Sequence, residues 1–189
     1  LNMTYISMTS NSADYGGGIY TVNADLNVDR KNPIISSLSS FDKNHANVEG
    51  GAIYSGYYSG KILNCNFTNN TADLGGAIAV ASDYQNITKC SFDGNNATSS
   101  GGAIYVEKVM YSTVSDSTFT NSYAYNGGGV YNSGNSGIAL FIDNCTFIKN
   151  LASHNGGAVY YVMLSTTGFE TIYRDYNNFD GRGFEFYPN

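Results

Sequence analysis

Apolar residues in this chain come in short β-favouring runs closed by glycine or asparagine, and no run reaches the roughly 18 positions that a membrane-spanning helix needs. Six runs follow a glycine pair: Gly16-Gly17-Gly18-Ile19-Tyr20, Gly50-Gly51-Ala52-Ile53-Tyr54, Gly75-Gly76-Ala77-Ile78-Ala79, Gly101-Gly102-Ala103-Ile104-Tyr105, Gly127-Gly128-Gly129-Val130-Tyr131 and Gly156-Gly157-Ala158-Val159-Tyr160. Their spacings are 34, 25, 26, 26 and 29 residues. A second unit, Phe-x-x-Asn, recurs at Phe41/Asn44, Phe67/Asn70, Phe92/Asn95 and Phe147/Asn150, with Ser122 in place of asparagine after Phe119. Each of these phenylalanines precedes the next glycine pair by 8 or 9 residues.

Two markers held in phase over five cycles define a repeat, and a period near 26 built of short strands and turns is one coil of a β-solenoid. The pattern predicts an all-β, right-handed, single-stranded parallel β-helix of about six to seven coils, with about three strands per cycle and a triangular section. Residues 1–161 form the coils, with extra length near 23–33. Residues 162–189 leave the repeat and carry Phe169, Tyr173, Tyr176, Phe179, Phe184 and Phe186, an aromatic surface suited to capping the last coil or docking another subunit.

Stacking places equivalent residues of successive coils about 4.8 Å apart, so each repeated position becomes a ladder. Phe41, Phe67, Phe92, Phe119 and Phe147 are expected to stack inside, with Cys65, Cys90 and Cys145 two residues earlier on the same face as buried free thiols. Asn44, Asn70, Asn95 and Asn150 are expected at a bend, their amides bonded to one another and to turn backbone. The aliphatic residue after each glycine pair points inward, with Val22, Val80 and Val106 in phase, and Tyr20, Tyr54, Tyr105, Tyr131 and Tyr160 face out, with Ala79 in the third coil.

Composition narrows the function. Nine Lys and Arg against 15 Asp and Glu give a net charge of −6, so the basic footprint for nucleic-acid phosphates is missing. The chain starts at Leu1 without a basic and apolar leader, as expected of a mature or excised segment. The sequons at Asn2, Asn66, Asn69, Asn86, Asn96 and Asn144 are candidate glycosylation sites and fit an exported protein.

No catalytic, metal or cofactor site is assigned. The acidic residues are scattered, and no same-phase pair recurs on neighbouring coils at a shared surface, as a carboxylate pair for glycoside chemistry requires. His45 and His154 lie in the loops before glycine pairs four coils apart, as solvated turn residues. Asp93-Gly94-Asn95-Asn96 and Asp73 are ordinary turn formers whose oxygens also suit calcium. The outward tyrosines are the candidate ligand-binding surface, since aligned aromatic faces stack on sugars or pack against proteins, although such stacks also stabilise a sheet.

Together, Gly-Gly-Ala-Ile and Phe-x-x-Asn resemble the polymorphic outer-membrane-protein repeat of chlamydial autotransporters. The wider pattern Asn-Cys-x-Phe-x-x-Asn, at Asn64 to Asn70 and Asn144 to Asn150, resembles adhesin-like β-helix proteins of methanogenic archaea. The resemblance covers about residues 16–161 and implies a non-catalytic cell-surface adhesin-like or envelope module, extracellular, whose partner is a cell-surface glycan, a protein, or copies of itself end to end. The alternatives are an end-to-end fibre subunit and a polysaccharide lyase or hydrolase of the pectate-lyase-like class.

Overall fold

The computed structural model describes residues 3–22, 34–56, 59–107, 111–133, 140–163, 178–180 and 185–188. The expected extra length at 23–33 and most of the aromatic C-terminal segment lie outside these residues. The chain winds as a parallel β-solenoid. One coil shows the plan: Lys61–Leu63, Asn66–Thr68, Thr71–Leu74 and Ile78–Val80 each join a different parallel sheet, here named A, B, C and D in that order. Sheets B and D contain seven strands, C six and A five. Asn178–Asp180 and Glu185–Pro188 supply the last strands of B and D.

Each coil therefore has four strands, one more than the repeat pattern predicts. The unforeseen wall is sheet A, whose strands share no residue marker: one inward rung runs Ser36, Ile62, Ile87, Val114 and Ile142, and Ser112 and Leu140 pair as a second buried rung in the last two strands. One or two buried side chains in a three- or four-residue strand leave too little alternation to read.

The corners are uniform. Every turn from A to B and from B to C takes two residues, and every turn from C to D takes three. The chain changes direction through a residue at positive φ: Leu38, Asn64, Lys89, Asp116 and Asn144 lie between 49° and 55° at the A-to-B corner. Non-glycine residues there cost roughly 1 kcal/mol each, a strain offset by the ladders on both sides. At the C-to-D corner the role falls to the first glycine of each pair.

Inside, the five phenylalanines form one continuous stack, with centroids 4.7 to 4.9 Å apart and planes within 7°. Cys65, Cys90 and Cys145 are buried free thiols beside it, and Ser39 and Ser117 occupy the same rung. Contact with the Cys90 thiol holds Cys65 down to about 7, while the same contact and burial push Cys90 up; burial lifts Cys145 to about 11. The inward aliphatic ladder runs through Ile19, Ile53, Ile78, Ile104, Val130 and Val159, all buried. Val22 does not share its phase: it lies three residues from Ile19 and is 47% exposed, and buried Thr21 takes the inward position.

The asparagines make the second internal ladder. Asn70 Nδ2 donates to the Phe41 carbonyl at 3.0 Å and to Asn95 Oδ1 at 3.0 Å, and Asn70 Oδ1 accepts from the Asn44 backbone N–H at 2.9 Å. Ser122 breaks the series, spending its hydroxyl on Thr120 O. Restoring the amide with Ser122→Asn recreates the bonds that Asn95 makes one coil earlier, and the expected result is a higher thermal midpoint, by about 1 kcal/mol of stability, in differential scanning calorimetry.

Candidate functional site

The outward rung of sheet D is the candidate surface. Its register runs Tyr20, Tyr54, Ala79, Tyr105, Tyr131, Tyr160. Ala79 divides the tyrosines into two groups. Tyr20 and Tyr54 stack at 5.1 Å, Tyr105 and Tyr131 at 5.4 Å, and Tyr160 tilts against Tyr131 at 5.5 Å. Tyr20 is more than half exposed, and the other four are half-buried with one side turned to solvent. Ala79 has no exposed surface despite its outward rung.

A second ladder, exposed at Tyr15 and buried at Ser100, approaches this one across the glycine corner. It belongs to sheet C and consists of the residue before each glycine pair: Tyr15, Glu49, Leu74, Ser100, Asn126 and Asn155. The Tyr15 ring meets Tyr54 edge-on at 5.5 Å and lies 6.2 Å from Tyr20, so side chains of two walls converge outside the solenoid. The turn is tight because the backbone doubles back over itself: a Cβ on Gly50 would sit 2.2 Å from the Ile53 carbonyl oxygen, a contact only glycine avoids. The corner thus brings rings of sheets C and D into contact outside the solenoid.

Glu49 ends the sheet C strand directly before that corner. Its Oε2 is buried without a hydrogen-bond partner, and its carboxyl is raised above the usual range by desolvation and then by the Glu107 and Asp73 carboxylates. Burial, then the charge of Glu49, raises the Tyr54 phenol, and burial, then Glu107, pushes Tyr105 up to about 12. These phenols stay protonated at neutral pH and can donate hydrogen bonds, while the carboxylates only accept. Tyr15, Glu49 and Glu107 escaped the sequence reading. The fixed position before each glycine pair was the available signal for the first two.

Other candidates fall elsewhere. Asn66, Asn69, Asn96 and Asn144 are exposed, Asn86 is partly covered, and Asn2 lies outside the described residues. His45 and His154 occupy strands of sheet C, not loops: His45 Nδ1 lies 2.8 Å from Thr71 Oγ1, and His154 stacks on Tyr125 at 5.0 Å. Asp93 Oδ1 accepts from Thr120 and Asn121, and the Asn95 oxygen is buried in the amide ladder. Among the described residues no cluster of three His, Cys, Asp or Glu side chains is arranged for a metal.

The repeat itself has a counterpart. Four segments match the Chlamydia polymorphic membrane protein repeat. They are residues 39–56, 64–81, 89–107 and 144–161. Each match begins within the A-to-B corner and runs into the strands of B, C and D, so the polymorphic membrane protein repeat describes three walls of a coil and leaves out the strands of sheet A. The coil carrying Ser122 has no match, in keeping with its missing asparagine. No curated protein and no solved structure matches the chain.

Proposed function

We propose that this chain is a surface-associated, adhesin-like module that binds a glycan or protein partner through the tyrosine-bearing wall and performs no catalysis. The observation that carries the reading is the pairing of polymorphic membrane protein repeats with a rigid wall on which five tyrosines are aligned. Tyrosines held by stacking lose little further conformational freedom on contact, which suits weak contacts multiplied over many displayed copies. The repeat match also supports placement at an outer membrane or cell surface.

Tyr54→Ala combined with Tyr105→Ala is expected to abolish retention on a glycan array or on immobilised surface proteins, at a cost of about 1 to 2 kcal/mol in stability because each ring loses stacking partners. Full retention by a folded double variant would remove the tyrosine wall from the site. New reducing or unsaturated ends in the glycan panel would instead reveal an enzyme.

A second reading rests on the open edge of the first coil. Among the described residues, Ser7–Thr9, Ser12–Tyr15 and Ile19–Val22 each pair on one side only, an edge whose N–H and C=O groups suit pairing with a second copy. Filaments in negative stain would favour that reading, and a monodisperse monomer at high concentration would discard it.

A further inference from the structure

Sheet C carries a recess of its own on the outer face. In two neighbouring strands the outward side chains are short, Thr71 and Asp73 on one and Asn96 and Thr98 on the next. The preceding coil presents His45 and Asn47, and the following coil presents Tyr123 and Tyr125. A cavity of about 280 Å³ lies over the short residues, lined by them together with His45 and Asn47.

The two sides of the recess differ in chemistry. On the first, His45 Nδ1 accepts from the Thr71 hydroxyl at 2.8 Å, His45 Nε2 donates to Asn47 Oδ1 at 3.2 Å, and Asn47 Nδ2 donates to Asp14 Oδ1 at 2.7 Å, so the polar side is held in place. In the recess itself the Thr98 hydroxyl is spent on Asp73 Oδ1, whereas no hydrogen bond among the described residues engages Asp73 Oδ2 or the Asn96 side-chain amide. On the second side, Tyr125 stacks on His154 of the next coil at 5.0 Å with planes 16° apart. That contact covers one face of the ring, and the other face turns back towards the coil of Thr98. Tyr125 is 48% exposed and Tyr123 39%.

We propose that this recess binds a neutral hexopyranose chain, with one sugar ring lying against the open face of Tyr125 and its hydroxyls on Asp73 and Asn96. The site lies on a different wall from the tyrosine ladder of sheet D and stands apart from the adhesive reading. A sugar ring offers an apolar C–H face to an aromatic plane and hydroxyls that both donate and accept at its rim. The unspent groups match that rim, since a carboxylate oxygen accepts and an amide does both. No lysine or arginine lines the cavity, and Asp73 and the net charge of −6 repel carboxylated sugars. An extended peptide finds no edge to join, because Thr71–Leu74 and Asn96–Ser100 are each paired on both sides.

The test is saturation-transfer-difference NMR of the whole chain with cellohexaose, maltohexaose, mannohexaose and hexagalacturonate, each titrated for its affinity. The protein is produced without glycosylation, because Asn96 opens the sequon Asn96-Ala97-Thr98. At least one neutral hexasaccharide is expected to receive saturation, and hexagalacturonate none. Tyr125→Ala is expected to weaken binding by about tenfold or more, and Tyr125→Phe, which keeps the ring, to hold it near the parent's. Asp73→Ala with Asn96→Ala is expected to weaken it by about fivefold or more. Thermal midpoints measured on the same samples separate lost binding from lost folding.

No saturation of any neutral hexasaccharide, or parental affinity in Tyr125→Ala, would overturn the recess as a sugar site, and binding of hexagalacturonate alone would overturn its neutral preference. The sheet D reading fails separately. If Tyr54→Ala/Tyr105→Ala loses partner retention while Tyr125→Ala binds sugar as the parent does, the wall is adhesive and the recess is not a site. The reverse pattern keeps the recess and discards the wall.

Discussion

Gly76→Ala is expected to destabilise the solenoid by about 3 to 5 kcal/mol, seen as a large fall in the denaturation midpoint, although it adds a single methyl group. An alanine Cβ at this position would lie 2.2 Å from the Gly102 carbonyl oxygen and 2.6 Å from that of Asn96. Both are backbone atoms of the next coil, so no side-chain rotation relieves the contact. Moving the coils apart breaks the ladder through the corner, where Gly75 N–H donates to Ser100 O at 2.9 Å, Gly76 N–H to Gly101 O at 3.0 Å and Ala77 N–H to Ala103 O at 3.0 Å. Each such bond is worth about 1 kcal/mol net, and more when its groups are left buried and unpaired. Gly94→Ala is the control. There the added carbon meets only the Asn69 side-chain oxygen, at 2.7 Å, which can swing away, and the cost reduces to the positive φ of 64°, about 1 kcal/mol. Similar losses for the two variants would show that coil-to-coil backbone contact does not set the corner.

The second large effect is expected at Asn70. Its replacement by alanine removes the acceptor of the buried Asn44 N–H and of the Asn44 side-chain amide, at 2.9 and 3.1 Å, and the bond to Phe41 O. Water has no access to any of these groups, since Asn44 and Asn70 are both fully buried. Leaving an N–H unmatched there costs about 1 to 3 kcal/mol, and the total is expected at about 2 to 4 kcal/mol by urea denaturation. Asn70→Ser should recover part of the loss, because the chain uses serine at the matching position 122. A serine variant no better than alanine would mean that volume, rather than hydrogen bonding, decides the rung.

The repeated markers carried the parallel stacking and the interior, because phenylalanine and asparagine each have one environment that suits them and meet it in nearly every coil. Sheet A escaped because Ile62, Ile87 and Val114 stand in strands of three or four residues with no repeated marker beside them. Val22 misled because an aliphatic residue three positions after Ile19 falls on the opposite face of a strand. The tyrosine ladder follows from spacing, but the contact of Tyr15 with Tyr54 across the corner does not. Whether Tyr15 and Glu49 lean away from Tyr54 or towards it depends on the angle at the glycine corner, and a sequence period holds no information about an angle. Histidines 45 and 154 look like turn residues because each stands near glycine, yet strands of sheet C reach almost to the corner.

The uniform corners leave a single place where the molecule tolerates length. Connections from sheet D to sheet A span residues 23–33, 57–60, 81–85, 107–111 and 133–139, whereas the other three corners keep one length through residue 159. An insertion at a fixed corner would slip a strand and turn its core residues outward, but an insertion on the variable edge leaves every rung in register. Through these coils, change in length is confined to one line down the side of the solenoid, bordering the tyrosine wall. Descendants of such a chain can alter what flanks the adhesive face, residue by residue, while the frame that holds it stays the same.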